Sequence, residues 1–178
     1  MVRKSARTKG ATAPFPLSEL KSLLHYDEAT GIFTWLVDQK RRQVKSGDIA
    51  GTLQKNGYIE IGLMNQRHYA HRLAWYYVTG EWPRLIDHKD RVRSHNWFSN
   101  LRKATPSESV ANTGKRSDNT SGYKGVTLNS KRGTWDAEIR YHGKRFRKSG
   151  FTSAELAADW ATKKRAEIHG EYSSDARN

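Results

Sequence analysis

The chain contains no cysteine. That absence removes disulfides, thiol nucleophiles and thiolate zinc sites together, so any metal must be held by His, Asp, Glu, Asn or hydroxyl groups. No apolar run approaches the ~20 residues needed to cross a bilayer, which excludes a helical membrane protein; charge alone still allows a cationic peripheral binder. Acidic side chains are scarce, with 18 Asp and Glu against 32 Lys and Arg in 178 residues and a net charge of +14. A surplus of that size draws polyanions by long-range field attraction, and nucleic acid is the partner it points to.

Every segment shares the surplus: residues 1–12 carry +4, residues 13–112 carry +4 and residues 113–178 carry +6. The first segment sets Arg3, Lys4, Arg7 and Lys9 among Ser, Thr, Ala and Gly and lacks the apolar stretch of a secretory signal, which predicts a flexible basic arm or an inert solvated tail. With 35% apolar residues, the chain is expected to fill two small cores.

Leu17, Leu20, Leu23 and Leu24 recur at helical spacing and predict a short helix over 18–25, with Ser18 as its cap. Ile32 to Trp35 after Gly31, and Ile59, Ile61 and Leu63 after Asn56-Gly57, predict strands of a small curved sheet. Residues 71–78 predict an apolar helix ended by Gly80. From Ile86 a strand, a basic loop to Asn96, the run Asn100-Leu101-Arg102 and a helix over 107–112 form a ββα arrangement. Residues 113–121 are polar and without apolar periodicity, a linker that divides domains 13–112 and 122–172, with a tail at 173–178. Beyond it, strands over 123–129, 134–141 and 144–148 precede a helix over 153–169. That helix has Thr152 and Glu155 at capping-box spacing, an inner face of Leu156, Trp160 and Ile168, and Gly170 past its end. The fold class is α+β: a small ββα core with β-rich elements before it, then a three-stranded antiparallel sheet backed by one helix.

Asp87-His88 is the pair with chemistry in it. A phosphodiester is hydrolysed by an activated water with positive charge at the phosphate, which one general base and one divalent cation supply. The bland alternative is a surface turn with a hydrogen-bonded pair. His71 opens an apolar helix and reads as structural; His25, His68, His142 and His169 have no matching partners. His95, inside the basic loop, is either solvated or a phosphate contact.

His71-Arg72-Leu73, Asp87-His88-Lys89-Asp90, Asn96, Asn100-Leu101-Arg102 and Glu108, in that order, resemble the HNH endonucleases (the ββα-metal, or His-Me finger, fold) of phages and mobile introns. The resemblance implies that Asp87 is a metal ligand, His88 the base and Asn100 the residue that steadies it. The helix ligand falls on Ser109, whose neutral hydroxyl is a poorer ligand than an amide oxygen, with Asn112 as the alternative. The loop carries Arg91 and Arg93, candidate DNA contacts, where relatives tend to have Gly and paired Asn.

In 134–141 the even positions Thr134, Asp136, Glu138 and Arg140 fall on one face and Trp135, Ala137, Ile139 and Tyr141 on the other. Arg145 and Arg147 alternate with Phe146. With Tyr123-Lys124-Gly125-Val126 and the stretch from Gly150 to Ala158, this half is similar to the AP2/ERF DNA-binding domain. That family lays a three-stranded sheet in the major groove, which implies Lys124, Arg132, Glu138, Arg140, Arg145 and Arg147 as contacts. Solubility alone is the plain alternative for a basic sheet face.

Together these imply a nicking, homing-type endonuclease acting on double-stranded DNA with one divalent ion, Mg²⁺ in first place and Mn²⁺ as the alternative. It would be monomeric, without an organic cofactor, in the cytoplasm of a bacterium or phage-infected host. Two other classes stay open. A catalytically impaired DNA-binding protein or regulator is favoured by Ser109; an RNA- or ribosome-associated basic protein explains the charge but not the Asp-His-x-Asp run.

Overall fold

The protein is described from a computed structural model covering residues 12–39 and 43–172. The basic arm up to residue 11 and the tail from residue 173 lie outside the described residues. The chain divides between Lys103 and Ala104 into two compact units.

The first unit opens with α1 (Leu17–Leu23), preceded by Pro16 without a side-chain cap, so Ser18 lies inside the first turn and does not cap the helix. Leu24 belongs already to β1 (Leu24–Tyr26), which pairs antiparallel with β2 (Phe33–Trp35), and β2 with β3 (Ile49–Ala50). A second sheet joins β4 (Thr52–Leu53), β5 (Ile59–Leu63) and β6 (Gln66–Tyr69). The strands expected to form one curved sheet therefore form two. Asn56-Gly57 makes the expected turn: Gly57 N donates to Gln54 O and Tyr58 N to Asn56 Oδ1. Helix α2 (Ala70–Thr79) follows β6 directly and ends on left-handed Gly80, whose N–H bonds Tyr76 O.

Strands β7 (Ile86–His88) and β8 (Leu101–Lys103) pair antiparallel with His88 opposite Leu101 and Asp87 opposite Arg102. Ile86 and Leu101 enter a core with Phe15, Leu20, Leu24, Phe33, Ile61 and Leu73. The strand that carries Asp87-His88 is thereby anchored at both of its ends.

The second unit holds α3 (Pro106–Asn112), β9 (Val126–Asn129), β10 (Thr134–Tyr141), β11 (Lys144–Phe151) and α4 (Ala154–His169). The sheet order is β11-β10-β9, all antiparallel, and α4 packs on it. The expected three strands and helix are present, with three differences. Ser153, not Thr152, caps α4, because its side chain reaches the Leu156 amide. Leu156 is 52% exposed, and Ala154, Ala157, Ala158 and Ala161 form the inner face; small side chains let the helix sit close to the sheet. A register shift between Trp135 and Ala137 breaks the strict alternation of β10, so Asp136 is buried.

The unit boundary falls ahead of the 113–121 stretch because Lys124 ties α3 to the second unit: its amine donates to Val110 O, Ala111 O and Thr113 O. Among the described residues no helix is long and apolar enough to cross a membrane.

His71 is buried, as its place in an apolar helix implies, and burial pushes its imidazole down to about 3, with the charges of His88 and Arg72 adding to the effect. Burial lowers His68 in the same direction. A histidine held neutral in the fold binds its proton in the unfolded chain first. For His71, stability is therefore complete above the unfolded value near 6.5 and falls as pH drops from there toward 3, by about 1.4 kcal/mol per pH unit. Denaturant midpoints should fall between pH near 7 and near 5, and His71→Leu should make that fall shallower; an unchanged pH dependence would count against His71 as a source.

Candidate functional site

His88 closes β7 and is 4% exposed. Its Nε2 lies 3.1 Å from Asn96 Oδ1. An amide oxygen accepts only, so this contact puts the ring proton on Nε2 and leaves Nδ1 as the nitrogen with the lone pair. Burial pushes His88 below its ordinary value, against the Asn96 hydrogen bond and the charges of Asp90 and Asp87, which pull the other way. The ring packs edge-on against His71 with centroids 5.0 Å apart, and Tyr58 stands at 6.1 Å. A neutral, fixed imidazole at a strand end has the form of a proton acceptor.

Asn96 is itself braced from the β1–β2 hairpin. The Tyr26 hydroxyl donates to Asn96 O at 2.7 Å, and burial, with Glu28 and Asp27 adding, pushes that hydroxyl far above its ordinary range, so it stays a donor. Phe98 N donates to Glu28 O. Gly31, with φ +75°, abuts the same backbone: a Cβ there would lie 2.2 Å from Trp97 N and 2.3 Å from Asn96 C. The hairpin turn and the Asn96 loop are thus fitted to each other main chain against main chain.

Asn100, expected to steady the His88 ring, has a different place. Its Nδ2 donates to Asp90 Oδ1 and His95 O, both at 2.9 Å, and its Oδ1 accepts from Asp90 N at 3.1 Å. It sits in the 3-10 turn Phe98–Asn100, directed into the 90–95 loop, so it shapes the loop while Asn96 holds the ring. The sequence signal for Asn96 is its position at the closing end of that loop. Nothing in the linear pattern separates its role from that of Asn100.

Asp87 Oδ2 accepts from Arg102 Nε at 3.1 Å and Nη2 at 2.9 Å, across the β7–β8 pair and largely out of solvent. The carboxylate expected to hold a metal thus has an arginine as neighbour. Among the described residues no group of three or more His, Asp and Glu side chains could hold a metal ion. Ser109 and Asn112 lie on α3 in the second unit, Asn112 buried at the last position of the helix. This helix is started by a capping box of Thr105 and Glu108 with Pro106 at its first turn.

In the loop, Arg91 is exposed and adopts φ +68°, the left-handed region that favours glycine. Arg93 is also exposed; its Nη1 donates to Asn56 O at 2.8 Å, and its guanidinium lies over the Tyr58 ring at 5.0 Å.

In the second unit, the β10–β11 register sets Glu138 opposite Arg147 and Arg140 opposite Arg145, so these four share one face. Glu138 bridges Arg140 and Arg145, each at 2.9 Å. Arg147 Nη2 bonds the buried Asp136 at 2.7 Å, and that contact holds the carboxyl below its usual range. Arg132 is exposed in the β9–β10 turn. Lys124 stands apart from the sheet face, with its amine on the carbonyls that end α3.

Two substitutions test the brace. Gly31→Ala forces a methyl group into the Asn96–Trp97 backbone at a positive φ and is expected to destabilise the first unit by ~2 kcal/mol or more. Arg91→Gly relieves the left-handed strain at its own position and is expected to stabilise by ~1 kcal/mol. Both are measured by denaturant unfolding; a neutral Gly31→Ala would show that the hairpin and the loop are not closely fitted.

A family model described as HNH endonuclease matches residues 68–111, from β6 through α2 and the β7–β8 hairpin into α3. Protein 3.8 of Escherichia phage T7 is 31% identical over 104 residues, covering 57% of this chain and 85% of that protein. No solved structure matches the chain. The match to the family model ends before the C-terminal sheet. With the Asp87-His88 strand end inside the matched segment, the chain belongs to the family of the phage T7 Protein 3.8 and carries an HNH endonuclease domain.

Proposed function

We propose that the protein is a metal-dependent DNA endonuclease that nicks duplex DNA with His88 as general base. The observation that carries this is the Asn96 hydrogen bond to His88 Nε2, which presents Nδ1 as the proton acceptor. His88 takes a proton from a water; the water oxygen attacks phosphorus, and the bond to the 3′ oxygen breaks. The products carry a 5′ phosphate and a 3′ hydroxyl. Burial of the ring keeps it neutral and able to accept that proton at ordinary pH.

By the HNH pattern, Asp87 is the carboxylate that would hold a divalent cation. A donor set with one carboxylate fits a hard ion of the Mg²⁺ or Mn²⁺ kind, which keeps water and phosphate oxygens in its shell, and does not fit an all-protein cage. Such an ion, when bound, neutralises charge at the phosphate and the departing oxygen. Arg102 holds Asp87 in place from the neighbouring strand.

Arg91 and Arg93 extend the positive surface of the loop toward DNA. The face of Glu138, Arg140, Arg145 and Arg147 is the DNA anchor, by its likeness in sequence to the AP2/ERF domain and its arginines on adjacent strands. Guanidinium groups in such a row bind phosphates or guanine edges. Arg132 joins them from the turn; Lys124 is reassigned to holding α3.

A second reading, a DNA-binding protein that does not cut, is favoured by the Asp87–Arg102 pair, because an arginine already neutralises the carboxylate. Conversion of supercoiled plasmid to nicked circle separates the two. Wild type should nick with Mg²⁺ or Mn²⁺ and not with chelator. His88→Ala should lower the rate ~100-fold or more and Asn96→Ala ~10-fold or more, with DNA binding retained. Binding without metal-dependent nicking would establish the second reading.

A further inference from the structure

The basic loop holds a second histidine that the base-and-metal scheme does not use. His95 Nδ1 lies 2.6 Å from Asp90 Oδ2, and the side chain is 42% exposed. Asp90 is in turn fixed: Asn100 Nδ2 and Val92 N both donate to its Oδ1 at 2.9 Å. Partial burial works against its charge, yet the hydrogen bonds from Asn100, His95 and Val92 N hold the Asp90 carboxyl below its usual range. An ionised carboxylate only accepts, so Nδ1 carries a proton and the ring's other nitrogen, Nε2, changes role with charge. Neutral His95 offers Nε2 as an acceptor, and charged His95 offers it as a donor.

The ring is held on its remaining sides as well. It packs on Trp97 with centroids 4.5 Å apart and 31° between planes, and the backbone of His95 is closed into the loop by its N–H to Val92 O and by Asn100 Nδ2 on its carbonyl. Among the described residues its side chain makes no hydrogen bond besides the one to Asp90. The charged and titratable groups set about it are Asp90, Arg91 and Arg93 of the same loop and His88 at the end of β7. Arg93 is directed to Asn56 and Tyr58. An oriented, half-exposed imidazole in a cationic loop, one residue before the asparagine that holds the base, is built to meet an anion.

Resting on the nuclease reading above, we propose that His95, oriented by Asp90 and Trp97, binds a backbone phosphate of the DNA through Nε2–H as an imidazolium. The phosphate and Asp90 then flank the ring on its two nitrogens, and His95 adds a phosphate contact in the loop beside His88.

The test is binding of a duplex oligonucleotide by the full chain, without divalent metal, as a function of salt at one fixed pH. Each phosphate contact steepens the dependence of log K on log salt by about 0.9. Wild type and His95→Arg, which keeps a cation at this position, should show a slope steeper by about 0.9 than His95→Gln. Equal slopes in wild type and His95→Gln overturn the contact, as does His95→Arg behaving like His95→Gln. Mg²⁺-dependent plasmid nicking by the same wild-type protein is scored in parallel. Nicking with no slope change removes the His95 contact and leaves the nuclease; the predicted slopes without nicking leave the contact and remove the nuclease.

Discussion

The close approach of two main chains, at Gly31 and at Asn96–Trp97, is the constraint on which the rest of the first unit depends. A hydrogen atom is all that fits between them. Because the turn after β1 comes that near, the Tyr26 hydroxyl reaches Asn96 O, Phe98 N reaches Glu28 O, and the Asn96 side chain is delivered to His88. The tautomer of the candidate base is therefore set by a hairpin some sixty residues earlier in the chain. A loop rich in arginine would on its own spread apart by repulsion; here Asn100, Asp90 and the Gly31 contact pin it from several sides.

Charge in the protein is organised more by pairing than by its total. The net charge of +14 draws a polyanion from a distance, yet many of the individual cations are engaged: Arg102 with Asp87, Arg147 with Asp136, Arg140 and Arg145 with Glu138. The exposed pairs contribute little to stability, because solvent screens them, but they fix where each guanidinium points. That orientation is what a surface needs if it is to meet phosphates at a regular spacing. Lys124 shows the other use of a cation, ending a helix by binding its last carbonyls.

Much of the chain was legible from its order of residues. Helix α2 with its Gly80 stop, the Asn56-Gly57 hairpin, the β7–loop–β8–α3 sequence and the three strands and helix of the second unit follow from periodicity and turn chemistry, which are local. What failed was decided by contacts between distant segments. The outward turn of Leu156 depends on how closely alanines bring the helix to the sheet, whereas the cap by Ser153 is a local contact to the Leu156 amide. Strict alternation sets Asp136 on the outer face, and the register shift beside it puts it inside with Arg147 as its partner.

By itself, the sequence determined the sign of the charge and the HNH segment in which Asp87-His88 lies. Charge of one sign is additive along a chain, and Asp87-His88 at a strand end within an HNH pattern is a matter of spacing. Only the tertiary structure decided which asparagine holds His88, what lies against Asp87, and that His95 is oriented by Asp90. Asn96 and Asn100 carry the same side chain four residues apart, so their roles differ only through what each faces. Asn96 faces His88 because Tyr26 and Gly31 hold its backbone from across the fold, whereas Asn100 faces Asp90 from the turn that closes the loop.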